Sequence, residues 1–183
     1  VVGWLLTVGV WLAWCLPSGR WLAAAGGVAL LLSAHALWLG LTFSLMRWRN
    51  RRDAVPLATW RAWVAAWWDE VRAAPRVFGW QQPFRSDAEP DFLPAPGSRG
   101  RVGVVLVHGF VCNRGLWTRW MRQFRVRGVP CVSVNLEPVF GSIDDYVAAI
   151  ESAVWRVERA SGVLPLLVGD SMGGLAIRAW QQA

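Results

Sequence analysis

The chain has 183 residues, a formal net charge of +7, a hydrophobic share of 55% and a charged share of 17%. This composition departs from that of an ordinary soluble domain, and three cysteines without framework spacing exclude a disulfide-stapled secreted fold. No nucleic-acid-binding motif accompanies the positive charge, and no CxxC or His/Cys cluster is present, so neither nucleic-acid binding nor a metal or other cofactor is predicted.

Two uncharged runs at residues 1–16 and 21–46 open the chain, and Pro17-Ser18-Gly19-Arg20 separates them. The second run is long enough to cross a hydrocarbon core of about 30 Å, and the first is slightly short. A cleaved signal peptide is the alternative for the first run, but the charged start and the small-residue cleavage site that it needs are both missing. The sequence therefore predicts a transmembrane helical hairpin over residues 1–46.

Charge around the second run predicts the orientation of this hairpin. Arg20 is the single charge before the run's end, whereas four arginines follow directly: Arg47, Arg49, Arg51 and Arg52. An excess of arginine marks the cytoplasmic side of a membrane helix, so the rest of the chain is predicted to be cytoplasmic. His35 is the one ionisable group within the two runs, and we expect a neutral imidazole that bonds to a neighbouring helix.

Residues 47–75 combine this basic stretch with an amphipathic helix. Between residues 57 and 73 apolar side chains recur at helical spacing, and they are Trp60, Trp63, Val64, Trp67, Trp68 and Val71. Because tryptophan prefers the headgroup boundary, the helix is predicted either to lie on the membrane surface or to pack on the following domain. Residues 76–100 are rich in proline and have no periodicity, which predicts an irregular linker.

From residue 101 apolar strand patterns alternate with helical patterns. Strands are predicted at 102–107, 130–135 and 163–169, and helices at 115–127, at 142–160 and from Ser171 onward. Ser142 and Asp145 have the spacing of a capping box at the start of the second helix. Such alternation predicts an α/β fold with a parallel sheet and flanking helices.

The apolar part of the last strand ends at Val168, and the sequence GDSMG, a G-x-S-x-G motif centred on Ser171, follows at once. On a sharp turn from strand to helix, this serine would expose its hydroxyl above the sheet as a nucleophile. Gly169 and Gly173 flank the turn at places where a side chain would meet neighbouring backbone. The N-terminus of the following helix would favour a developing negative charge.

A second element, His108-Gly109-Phe110, ends the first predicted strand. The loop after that strand is where a second oxyanion donor is expected, so the backbone N–H groups of Phe110 and Met172 are the predicted donors. An ordinary tight turn is the alternative explanation for Gly109. The predicted catalytic set is thus Ser171, Phe110 and Met172.

Together, VVLVHGF and GDSMGG resemble the α/β-hydrolase superfamily, in particular its bacterial lipase and esterase branch, over residues 102–183. The resemblance implies the N-terminal half of an α/β-hydrolase sheet, a partial domain at 101–183, preceded by the two transmembrane helices. It also implies hydrolysis of ester or lipid substrates through an acyl-enzyme on Ser171, by a multi-pass protein of the bacterial inner membrane.

Two features depart from the pattern of these families. Asp170 stands where a histidine usually precedes the nucleophile, and we expect its side chain to point away from the attack face. The superfamily order places the acid and then the histidine after the serine, so both are expected beyond Ala183. Together with the start at Val1, this predicts a C-terminally truncated piece that is nearly inactive as it stands. The alternative is a non-catalytic, membrane-tethered interaction module.

Overall fold

The two apolar runs at the start of the chain form helices α1 (Val2–Cys15) and α2 (Trp21–Arg49). Gly19, with a φ of 66°, lies in the turn that separates them. The computed structural model describes residues 2–93 and 100–183, and it divides into two compact units between Gly79 and Trp80. The first unit also contains helix α3 (Trp60–Arg76).

Of the helices in the described residues, one is long and apolar enough to cross a membrane. It is the stretch Trp21–Arg52, with a mean hydropathy of 1.8. α1 has 14 residues, about 21 Å of helix, against a hydrocarbon thickness of about 30 Å. The prediction of two spanning helices is therefore wrong in number: among the described residues one helix, Trp21–Arg52, qualifies, and α1 is too short.

α2 contacts α1 through a tryptophan. Trp11 Nε1 donates a hydrogen bond of 3.2 Å to the carbonyl oxygen of Ala23, and a Cβ at Gly27 would collide with the Trp11 indole. The absence of a side chain at Gly27 therefore allows the two helices to approach. Elsewhere on α2, the buried Nε2 of His35 has no hydrogen-bond partner among the described residues, so the expected bond to a neighbouring helix is not found.

The tryptophan face of α3 packs on α2. Trp63 Nε1 donates to the carbonyl oxygen of Phe43 at 3.3 Å, and Trp67 Nε1 donates to that of Ala36 at 2.9 Å. From the first hydrogen bond to the second, the donor lies further toward the C-terminus of α3, whereas the acceptor lies further toward the N-terminus of α2. The two helices are therefore antiparallel. This contact with α2 is neither of the two placements that the sequence pattern suggested.

The second unit contains a parallel sheet of three strands within the described residues: β1 (Val104–Val107), β2 (Cys131–Val134) and β3 (Leu166–Gly169). β1 is central in the order β2-β1-β3, and Val104 lies opposite both Cys131 and Leu166. The predicted parallel sheet of a mixed α/β fold is confirmed, with each strand somewhat shorter than its apolar run.

Helices cover both faces of this sheet, which explains the continuous apolar runs. They are α5 (Thr118–Val126), α6 (Val147–Ser161) and α7 (Met172–Gln182), whereas the short helix α4 (Gln82–Phe84) contacts the 3₁₀ turn Arg114–Trp117. Val104 and Leu106 face α5, whereas Val105 and Val107 face α6 and α7. The predicted capping box is present ahead of α6, where the N–H of Ser142 donates to Asp145 Oδ2 at 2.8 Å.

The two edges of the sheet differ. Phe92 forms an antiparallel bridge with Cys131 on the outer side of β2, with two backbone hydrogen bonds of 2.8 Å. On the outer side of β3, Leu164 and Leu166 are exposed. Residues 80–93 of the predicted irregular linker are therefore attached to the sheet unit; residues 94–99 of that linker lie outside the described residues.

Asp91 anchors this attached segment. Its carboxylate accepts the N–H of Ser133 at 3.2 Å, which caps the next open group of the β2 edge. The same carboxylate forms ion pairs of 2.7 Å with Arg114 and 2.8 Å with Arg156. Three donors from three elements thus converge on one side chain that is only 16% exposed.

Substitution of Asp91→Asn should lower the free energy of unfolding by about 1–3 kcal/mol, because Arg114 loses its charged partner at a largely buried site. Asp87→Asn is the matched control, since that carboxylate is 79% exposed and 3.8 Å from Arg114. Urea unfolding of the whole chain in a neutral detergent, followed by tryptophan fluorescence, measures both. Equal midpoints for the two variants would contradict this role of Asp91.

Candidate active site

Ser171 lies at the junction between the end of β3 and the start of α7, in a strained backbone conformation. Its φ is 49° and its ψ is −117°, in a region that residues other than glycine seldom adopt. A serine directly before a helix ordinarily caps it with its hydroxyl, but Ser171 makes no such hydrogen bond. The side chain is exposed, so the turn presents the hydroxyl to solvent instead of to the helix.

The two flanking glycines are required by their surroundings. A Cβ at Gly169 would lie 2.6 Å from the backbone nitrogen of Gly174, and one at Gly173 would collide with the carbonyl oxygens of Val107 and His108. At Gly174 a Cβ would meet nothing within 4 Å. The glycine positions of the motif are therefore those at which the turn from strand to helix leaves no room for a side chain.

The loop after β1 lies against this turn. The N–H of Asp170 donates to the carbonyl oxygen of Val107 at 2.9 Å, and a Cβ at Gly109 would be 3.2 Å from Ser171 Cβ. The loop then turns sharply at Val111, with a φ of 56°. The His108-Gly109 element and the serine, which are 62 residues apart between Gly109 and Ser171, are thus neighbours in space.

Phe110 and Met172, the predicted oxyanion donors, lie on the two segments that meet here. Met172 is the first residue of α7, so its N–H belongs to the first turn, which has no acceptor within the helix. Within the part of the chain that the structure describes, neither this N–H nor that of Phe110 donates a backbone hydrogen bond. Both are therefore free to bind an anion, and their role as a pair stays a prediction.

His108 has a structural place in this arrangement. The imidazole is buried, its Nε2 accepts the N–H of Leu136 at 3.0 Å, and its Nδ1 lies 2.8 Å from the carbonyl oxygen of Gly109. Because Nε2 must be unprotonated to accept, Nδ1 carries the hydrogen and donates it to Gly109. Burial lowers the pKa of His108, which favours this neutral form. Both ring nitrogens are occupied, so His108 is not available as a base for Ser171.

Asp170 lies closer to the site than the sequence suggested. A Cβ at Gly109 would be 2.8 Å from Asp170 Oδ2, so the carboxylate faces the loop that carries Phe110. Burial raises the pKa of the neighbouring Cys112 thiol, a hydrogen bond with Gln82 opposes this, and the Asp170 charge adds to the rise. A negatively charged carboxylate at this place would repel an oxyanion that forms beside the loop.

Phe140, which the sequence patterns did not single out, also belongs to the site. Its ring meets that of Phe110 edge to face, with centroids 5.7 Å apart, and it is 85% exposed. With Val111 the two rings form an exposed apolar surface next to the loop that contacts Ser171. The sequence offered one indication of this role, which is the position of Phe140 after the carboxyl end of a parallel strand. Ligands bind at that end of the strands in open α/β sheets.

The described residues contain no group of three His, Cys, Asp or Glu side chains that would hold a metal ion. No protein-family model, curated protein or solved structure matches the chain. The site is therefore defined by its own geometry: an exposed serine on a strained turn, two N–H groups without backbone acceptors, and an apolar surface.

Substitution of Gly173→Ala should lower the free energy of unfolding by about 1–3 kcal/mol, because the added methyl group overlaps backbone atoms of β1. Gly174→Ala, one residue further along α7, should be neutral or stabilising by up to about 1 kcal/mol, since alanine is the better helix former. Urea unfolding of the whole chain in neutral detergent compares the two. A similar loss in both variants would show that the contact at Gly173 is not the cause.

Acid should weaken the fold through His108. Its folded-state pKa lies below the ordinary value of 6.5, so as the pH falls through 6.5 the unfolded chain takes up the proton first. The stabilisation from neutral His108 is complete above this pH and declines below it, with a slope of at most about 1.4 kcal/mol per pH unit. Unfolding free energies measured between about pH 7.5 and 5.5 should show this decline.

His108→Gln is the test variant, because glutamine keeps an uncharged acceptor for the N–H of Leu136. Its unfolding free energy should vary less over this pH range than that of the original chain. His35→Gln, in α2, is the control and should keep the original slope. If His108→Gln retains the full slope, another group causes the pH dependence.

Proposed function

We propose that the chain is a membrane-anchored serine hydrolase of the α/β-hydrolase type that cleaves carboxylic esters through an acyl-enzyme on Ser171. The observation that carries the proposal is the strained conformation of Ser171, with a φ of 49°. Strain of this kind persists only where surrounding structure enforces it, and it clusters at functional sites. Here the contacts of Gly169 and Gly173 enforce it, and the hydroxyl is not used as a helix cap.

The proposed reaction has two halves. Ser171 Oγ attacks the ester carbonyl carbon, and the N–H groups of Phe110 and Met172 donate to the oxyanion of the tetrahedral intermediate. The C–O bond to the alcohol then breaks, the alcohol leaves with the serine proton, and an acyl-enzyme remains. Water attacks the acyl carbon in the second half, releases the carboxylic acid and restores the hydroxyl. The N-terminus of α7 adds about half a positive charge beside the oxyanion.

Proton transfer in these steps needs a general base that neither histidine of the sequence supplies. His108 has both ring nitrogens bonded, and His35 lies within the membrane-spanning candidate, where it is proposed to be embedded in the bilayer. Without the base, a serine hydrolase loses about six orders of magnitude in turnover and keeps about 10³–10⁴ over water. We therefore expect slow acylation of Ser171 in the chain as it stands.

The apolar surface formed by Phe110, Val111 and Phe140 supports a substrate with a hydrocarbon portion, an ester or lipid. α2 supports the membrane as the location, with α1 beside it as a shorter apolar helix. The arginines in the last turn of α2 and in the 3₁₀ turn that follows it favour the cytoplasmic side of a bacterial inner membrane for the hydrolase unit.

The test is covalent labelling of Ser171 with a fluorophosphonate, read by intact mass and peptide mapping. The expected result is a slow adduct on Ser171, faster when free imidazole is added as an external base, and abolished by Ser171→Ala. Ser152→Ala, which removes an exposed serine on α6, should label like the original chain. Failure of Ser171 to label in the presence of imidazole would favour the non-catalytic, membrane-tethered interaction module instead.

A further inference from the structure

The four arginines at the C-terminal end of the membrane-spanning candidate, Trp21–Arg52, do not have the same surroundings. Arg47 Nη1 donates a hydrogen bond of 2.6 Å to the carbonyl oxygen of Ala58, which ties the end of α2 to the segment before α3. Asp53 lines a cavity on this Arg47 side. Arg47 therefore has a structural role within the first unit.

The other three arginines line a separate pocket. They lie with Trp48 around a partly open space of about 350 Å³, at the end of α2 and the 3₁₀ turn that follows it, Asn50–Arg52; the three are Arg49, Arg51 and Arg52. All three side chains are exposed, and within the described residues none has a carboxylate within 4.0 Å. Three guanidinium groups around one pocket repel one another unless an anion lies among them.

Phosphate is the anion that this chemistry fits best. Guanidinium is planar and donates paired N–H groups to phosphate oxygens, and it sheds water more readily than an ammonium group does. No lysine is present to do this as a point charge. The pocket thus favours a phosphate-bearing ligand over a monovalent halide or a neutral polar molecule.

The surroundings of the pocket select the kind of phosphate compound. Leu41, Leu45 and Met46, on the last turns of α2, are exposed apolar side chains that precede the arginines. Trp48 is itself exposed in the pocket, and tryptophan prefers the boundary between hydrocarbon and headgroups. Along the helix, apolar side chains are thus followed by a tryptophan and then by arginines. A ligand whose hydrocarbon chains are joined to an anionic phosphate has its groups in the same order.

We propose that Trp48, Arg49, Arg51 and Arg52 form a binding site for the headgroup phosphate of an anionic glycerophospholipid. The site rests on the membrane-anchor part of the proposed function and is independent of the chemistry at Ser171. Basic clusters next to a membrane helix attract anionic lipids by about fivefold in affinity for each arginine. Arg47, engaged with Ala58, is expected to contribute less than the other three.

The experiment measures lipid retention by native mass spectrometry of the whole chain in a neutral detergent. The probes are phosphatidylglycerol and phosphatidylcholine of the same acyl composition. The original chain should retain phosphatidylglycerol preferentially. The triple variant Arg49→Gln, Arg51→Gln, Arg52→Gln should lose most of this preference, on the order of 100-fold in the affinity ratio. Its circular dichroism spectrum should match that of the original chain.

A matched triple variant distinguishes binding at this site from a general effect of the protein's net charge. Arg61→Gln, Arg72→Gln and Arg76→Gln remove the same charge from α3, and they should leave lipid retention unchanged. Equal losses in the two triple variants would overturn the proposal, as would equal retention of the two lipids by the original chain. Displacement of phosphatidylglycerol by inorganic phosphate would assign the pocket to a free anion. Ser171→Ala should retain lipid like the original chain, so failure here and failure of Ser171 labelling are separate outcomes.

Discussion

The start of α7 lies so close to the end of β1 that no side chain fits between them. Gly173 faces the carbonyl oxygens of Val107 and His108, and Gly169 faces the backbone of the same turn. The chain must therefore turn from strand to helix within a very small space. The resulting backbone strain is located at Ser171, which has a positive φ. The same closeness places the Gly109 loop against the serine. The geometry of the candidate site thus follows from one steric constraint, and the neutral imidazole of His108 holds the loop in register with β2.

Local patterns predicted much of this unit from the sequence. Continuous apolar runs located the strands because both faces of the sheet are covered, and the Ser142–Asp145 spacing located the start of a helix because a capping box is a local interaction. The glycines around Ser171 marked the turn for a similar reason. What the sequence did not show depends on partners distant in the chain. Asp91 binds groups 23 to 65 positions away, and the ring of Phe140 meets one 30 positions earlier.

Periodicity identified the apolar face of α3 but not its partner. A stripe of tryptophans fits a bilayer surface, a domain or another helix equally well, since all three offer apolar contact. The indole N–H groups decide between them here, because Trp63 and Trp67 reach backbone carbonyls of α2. The end of α1, by contrast, was located to within one residue, because the apolar run stops at Leu16 and the helix ends at Cys15.

Within residues 2–93 and 100–183, one edge of the sheet is paired with a further segment and the other edge has no neighbouring strand. On the outer side of β2, the backbone of Phe92 pairs with Cys131, and the carboxylate of Asp91 accepts the N–H of Ser133. These backbone groups are therefore not available to pair with another strand. The outer side of β3 carries exposed leucines. Among the residues that the structure describes, the outer side of β3 is therefore the edge that offers backbone groups to a further strand, whether from the same chain or from another copy. A strand that paired there within the native fold would occupy the same backbone groups through which the edge could aggregate.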